Sequence, residues 1–184
     1  MFTYQAYATG VALYHAFDGS ARDGGAVAQR YRAWPRHCDA NLHITNAKYL
    51  TFMDFGRAAW LASSGILIES VRRRIPFVVG GISITYRRSI DIMQPFSVHT
   101  RAAHVDERWI TFVQTFTLGD GRTAARAVAR GTFSGRAGTL DPRELASRVG
   151  CVLPNNDLAS AEVDAWMASS EATLAEIRRA DRPM

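Results

Sequence analysis

The spacing of apolar residues changes character several times along this chain, and each change predicts an element. Residues 27–34 alternate loosely, with Val27, Gln29, Tyr31 and Ala33 on one side and Arg30 and Arg32 on the other. That predicts a strand with one wet face, ended by Pro35. In residues 47–63 the apolar positions crowd instead: Tyr49, Leu50, Phe52, Met53, Phe55, Trp60 and Leu61, with Gly56, Ala58, Ala59 and Ala62 between them. A helix apolar nearly all round is buried on most sides. Thr45 or Asn46 suits its N-cap and Gly65 its stop. A second short helix is expected over 66–74, ended by Pro76.

Alternation then returns in residues 80–88, 96–105 and 109–118, the last with Ile110, Phe112, Phe116 and Leu118 opposite Thr111, Thr115 and Thr117. Residues 122–133 are alanine-rich, and arginines 122, 126 and 130 recur every four, so helix competes there. Gly119-Asp120-Gly121 reads as a hairpin turn after a clear strand, which favours another strand. The order is strand, buried helix, then an antiparallel meander of four strands. This is the α+β class, one curved sheet wrapped around one helix. Open edges on such a sheet predict pairing into a dimer.

Further along, Asp141 with Pro142 begins a short helix over 141–149. Residues 154–156 read as a linker. A long amphipathic helix is expected over 157–179, its stripe formed by Val163, Trp166, Met167, Ser170, Leu174 and Ile177 and packed on the domain or a partner. Before the first strand, residues 1–17 suit a short helix, followed by a loop marked by Asp18-Gly19-Ser20 and Asp23-Gly24-Gly25. The resulting division is an N-terminal segment (1–26), a central domain (27–150) and a C-terminal linker and helix (151–184).

Composition narrows the chemistry. The chain has 184 residues and a formal charge of +5, mostly from dispersed arginines. That balance suits an anionic ligand such as nucleic acid, a membrane surface or a phosphate-bearing cofactor. Dispersed arginines without a compact aromatic–basic motif argue against a nucleic-acid module. No segment is apolar for long enough to span a bilayer, and the start lacks the basic region and cleavage site of a signal peptide, so a cytoplasmic protein is expected. Cys38 and Cys151 fit no metal spacing and read as free thiols; neither a metal nor a bound cofactor is expected. There is no nucleophilic-serine motif, and Gly80-Gly81 opens no phosphate loop.

The candidate chemistry lies in the polar turn before the buried helix. It carries Asp39, Asn41, His43, Thr45 and Asn46. Asp39 alone is an ordinary turn residue. Placed just before a helix start it gains a second reading, as base or nucleophile beside free backbone N–H groups that can hold an oxyanion. The Asn46 N–H is the candidate donor. His43 reads as a second base, a ligand or a hydrogen-bonding core residue. Asp54, three residues before Arg57, is an i,i+3 ion-pair partner or an alternative catalytic carboxylate.

The run Asp39-Ala40-Asn41-Leu42-His43-Ile44-Thr45-Asn46-Ala47-Lys48-Tyr49-Leu50 resembles the D-x-N-G-H-x-N-N-A-x-Y-L signature of hot-dog acyl-CoA thioesterases, in the 4-hydroxybenzoyl-CoA thioesterase-like superfamily. The branch that includes thioesterase superfamily member six is the most similar. Met53-Asp54-Phe55-Gly56-Arg57, Ile84-Thr85-Tyr86-Arg87-Arg88-Ser89 and Ala127-Val128-Ala129-Arg130-Gly131 extend the likeness, which runs from about Val27 to Gly150. The resemblance implies a five-stranded sheet around one long helix, a homodimer or dimer of dimers, and sites at the dimer interface. It implies hydrolysis of acyl-CoA to acid and CoA, with Asp39 attacking the thioester or activating water. The Asn46 N–H would hold the thioester oxygen, and His43, Thr45 and Tyr49 would form the pocket. Arg87 or Arg88 would meet the CoA phosphates, and the apolar helix suggests a greasy or aromatic acyl group. Leu42 replaces the usual glycine and Thr45 the first asparagine of the pair; both bear on catalytic efficiency rather than on the fold. The same fold also serves acyl-thioester binding or enoyl-thioester dehydration, where Asp54 would face His43, His99 or His104.

Overall fold

The computed structural model describes residues 21–135, 138–154 and 161–180. The helix expected over 1–17 and most of the linker before the last helix lie outside them. Six strands form one antiparallel sheet: β1 (Val27–Arg32), β2 (Phe77–Tyr86), β3 (Pro95–Val105), β4 (Ile110–Leu118), β5 (Thr123–Gly135) and β6 (Gly138–Leu140). The helices are α1 (Asn46–Ser63), α2 (Ile66–Arg73), α3 (Pro142–Val149) and α4 (Ala161–Ala180).

Strand order is β1-β3-β4-β5-β2, with β6 folded back on β5. The four strands after the helix are therefore not a simple meander. β3, β4 and β5 are, but β2 pairs with β5, from Phe77↔Phe133 to Tyr86↔Ala125. β2 also starts earlier than its alternation suggests. Phe77 faces inward, with its ring 5.2 Å from that of Phe133, while Val78 and Val79 are exposed and leave no alternation to read.

The sheet curls around α1 as a hot-dog fold. Its inner face presents Phe96, Val98 and Ala102 from β3, and Ile110, Phe112, Phe116 and Leu118 from β4. β5 adds Ala125, Ala127 and Ala129, whose small side chains sit in the same core as Tyr49, Phe52 and Met53 of the helix. Rings meet closely there: Tyr49 with Phe116 at 4.8 Å and Phe52 with Phe96 at 5.0 Å. Such pairs add about 0.5–1.5 kcal/mol each beyond the area they bury. Gly56 is a contact point. A Cβ there would stand 2.3 Å from Thr100 Oγ1 and 2.7 Å from Gln114 Nε2, so only glycine lets the helix come this near.

Ala102 faces the helix core and Ala103 the outer side, as the pleat dictates, and the register shift between Ala102 and His104 then returns Val105 to the core side. On the outer face Ala103, Val113 and Val128 pack with Val163 of α4, together with Trp166 and Met167. The amphipathic stripe of the last helix thus packs on its own sheet. Arg126 pairs with Glu162 at 2.8 Å, and the buried Arg130 with Glu171 at 2.6 Å. Ile177, at the far end of the stripe, is exposed.

Candidate functional site

The turn before α1 is built by backbone pairing. Pro35–His37 form one 3-10 turn. Cys38 and Ile44 then face each other as an antiparallel bridge, Asp39 N–H donates to His43 O at 3.0 Å, and Leu42 N–H donates to Asp39 O at 3.0 Å. The reversal closes on Leu42 in the left-handed region (φ 60°), the conformation that suits the glycine expected there. The turn geometry survives the substitution, with a large exposed side chain added. Asp39 Oδ1 accepts the Asn41 N–H at 2.9 Å, the local bond that stabilises an Asx turn.

This turn is tied to a second one. Ile44 N–H donates to Ile90 O at 3.0 Å and Ile92 N–H to Leu42 O at 2.8 Å. His43 Nε2 stands 3.5 Å from Asp91 Oδ1. Sequence reasoning did not single out Asp91; it lies 48 residues from His43, and only the fold joins them. Asp54 instead pairs with Arg57, as the ion-pair reading expects. His104 lies 3.9 Å from Asp106.

Thr45 takes the N-cap position with extended backbone (φ −69°, ψ 151°), but its side chain makes no capping hydrogen bond. The first amides of α1 are therefore not capped by it, and Asn46 is the first helical residue. Asp39, His43, Asn46, Tyr49 and Arg88 all line one cleft of about 380 Å³, with Ile44, Tyr86, Arg87 and Ser89. Thr45, by contrast, is not among its lining residues. Arg88 is partly held, its Nη1 donating to Thr123 O at 3.0 Å, while Arg87 is exposed. Tyr86, which the sequence places in a strand and in a run of the family likeness but gives no role in the pocket, closes one wall with its ring 5.0 Å from Tyr49. Among the described residues no cluster of three His, Cys, Asp or Glu side chains could hold a metal ion.

Burial, then the neighbouring Tyr86 and Asp91, push the Tyr49 hydroxyl up to about 12. Tyr49 is therefore a neutral O–H at the wall of the cleft at physiological pH. Unfolding releases this group to ionise near pH 10. Its contribution to stability should be complete below pH 10 and lost between pH 10 and about 12. An ultraviolet titration should show a late-ionising tyrosine that disappears in Tyr49→Phe.

A carboxylate, uncapped helix amides and arginines around one cleft can act on a carbonyl carbon attached to an anionic carrier. Several known proteins are similar to this chain. Protein THEM6 of Drosophila melanogaster is 39% identical over 90 residues, covering 48% of this chain and 46% of that protein. Protein THEM6 of Danio rerio is 32% identical over 93 residues, covering 50% and 46%. The chain thus spans about half the length of the curated relatives it matches. Among solved structures, YbaW, a probable thioesterase from Escherichia coli, has a TM-score of 0.60 at 22% identity over 66% of this chain and 97% of its own. A Staphylococcus aureus protein in complex with CoA has a TM-score of 0.60 at 17% identity over 69% and 82%. A Streptococcus mutans protein bound to acetyl CoA has a TM-score of 0.52 at 16% identity over 61% and 84%. These likenesses carry the fold. The family model described as the thioesterase-like superfamily matches residues 33–169, from the end of β1 well into α4, and the chain belongs to that superfamily.

Proposed function

We propose that this protein is an acyl-CoA thioesterase, releasing a carboxylic acid and CoA. The observation that carries the reading is the meeting of Asp39, Asn46 and Arg88 on one cleft at the start of the buried helix. The Asp39 carboxylate attacks the thioester carbon or draws the proton from an attacking water. The backbone N–H at Asn46 faces the charge that develops on the thioester oxygen, where the helix dipole adds to it. His43, paired with Asp91, and the neutral Tyr49 shape the pocket, and Arg87 and Arg88 meet the CoA phosphates. The two solved relatives with CoA and acetyl CoA agree with that ligand class. Release of CoA, followed with a thiol reagent over short-chain, long-chain and aromatic acyl-CoAs, tests the reading. Turnover of at least one class is expected. Binding of every class without release of CoA would replace hydrolysis with acyl-thioester binding.

The same reading includes a homodimer. β2 ends the sheet, runs for ten residues and leaves Val78 and Val79 exposed. A second copy pairing antiparallel along β2 would cover this edge and extend the sheet. Light scattering should give twice the chain mass, falling to the monomer in Val79→Lys. A parent protein of monomer mass would remove the dimer from the proposal.

A further inference from the structure

We propose that the end of the molecule formed by Trp34, Leu42 and Met93 docks on an anionic lipid bilayer. The proposal is independent of the thioester reading, because it concerns where the protein sits.

Three large apolar side chains are exposed at this end: Trp34 at 47%, Leu42 at 56% and Met93 at 43%. Backbone bonds hold them on neighbouring segments. Ile92 N–H donates to Leu42 O at 2.8 Å, and Met93 N–H to Ala33 O at 2.6 Å. Leu42 (φ 60°) and Met93 (φ 65°) both hold left-handed backbone, where glycine or asparagine is the easy choice. Each therefore pairs an unfavourable conformation with a large side chain that is exposed among the described residues. An external apolar phase accounts for both residues together.

The charge around the patch fits a phosphate-bearing surface. Arg30, Arg32, Arg36 and Lys48 line the adjoining groove of about 590 Å³ with Trp34, and no carboxylate is among its described lining residues. Arg32 Nη1 donates to Met93 O at 2.7 Å and so joins the basic rim to the apolar tip. Burial, then Arg36 and Lys48, lower the pKa of His37 in the same groove, consistent with a positive local field. The two turns also carry the carboxylates of Asp39, on the Asn41 N–H, and Asp91, beside His43, so the cationic rim lies on the groove side of the tip. A tryptophan, two protruding apolar side chains and a loose cationic rim match the requirements of an interfacial anchor. A protein partner would call for a broader contiguous apolar core.

The test is flotation of the full chain with phosphatidylcholine vesicles, with and without phosphatidylglycerol, at low and high salt. Binding should be about tenfold or more stronger to the anionic vesicles and should weaken with salt. Brominated lipid should quench Trp34 fluorescence, and Trp34→Phe should abolish that quenching, because Trp60 and Trp109 are buried and Trp166 packs between α4 and the sheet. Leu42→Gly with Met93→Gly is the decisive variant. Glycine accepts both backbones, so the variant should melt no lower than the parent, yet bind anionic vesicles about tenfold more weakly. No partition of the parent into anionic vesicles, or unchanged partition of the double variant, would overturn the proposal.

Discussion

Asp39→Asn should fold as the parent does and release CoA about 10²- to 10⁴-fold more slowly. The substitution is chosen for the turn. Asp39 Oδ1 accepts the Asn41 N–H at 2.9 Å, and an asparagine keeps an oxygen in that place. What disappears is the negative charge, hence the base or nucleophile. Asp39→Ala removes the turn's acceptor as well, so the difference between the two variants separates local structure from chemistry. The loss should fall on kcat, with KM little changed, because the carboxylate acts on the bond being broken rather than on the CoA carrier. Equal turnover in the parent and Asp39→Asn would remove Asp39 from the mechanism while leaving the family assignment untouched.

Much of this arrangement was legible in the sequence, for reasons that can be named. Alternation in β4 gave the inner row Ile110, Phe112, Phe116 and Leu118, and all four are buried. The crowded apolar helix is buried on most sides because the sheet curls around it. The ambiguity over 122–133 also has a physical origin. Positions four apart share a face in a strand as well as in a helix, so the arginine spacing could not decide. Arg126 and Arg130 do share a face, and both reach carboxylates of α4.

What stayed hidden depends on pairings distant in sequence. Nothing in β2 says that it passes over β3 and β4 to join β5, yet that pairing leads the chain from Tyr86 to Arg87 and Arg88, whose N–H groups both donate to Ala124 O. Asp91 reaches His43 only because the 90–92 backbone pairs with the turn. Leu42 was visible as a departure from the signature, but its left-handed backbone was not. Gln114 offered a signal that went unread: it is the one polar member of β4's inward row between Ile110 and Leu118.

Gln114→Leu should destabilise the protein by about 3–5 kcal/mol, although leucine is close to glutamine in size, because three buried hydrogen bonds are lost at once while Arg57 keeps Asp54. Gln114 is fully buried. Its Oε1 accepts Arg57 Nη1 at 2.7 Å, and its Nε2 donates to Met53 O and to Thr100 Oγ1, both at 2.9 Å. Leucine would take an acceptor away from a guanidinium that is itself buried, and a donor from a helix carbonyl. Leaving such groups unsatisfied is worse than never burying them. For a chain of this length the melting temperature should fall by about 10 °C or more. Arg57→Met should partly rescue Gln114→Leu, because the buried N–H that lost its acceptor is then gone, while Asp54, which gives up its Arg57 partner, is half-exposed to water. Additive losses in that double variant, or a melting temperature within a degree or two of the parent in Gln114→Leu, would mean that the network does not hold the helix. Gly56 indicates that it does: a Cβ there would collide with Thr100 and Gln114, so the depth at which α1 seats is set against these two side chains. The same helix presents Asn46 to the cleft ten residues earlier. A loosened seat should therefore slow CoA release in Gln114→Leu even at temperatures where the protein remains folded.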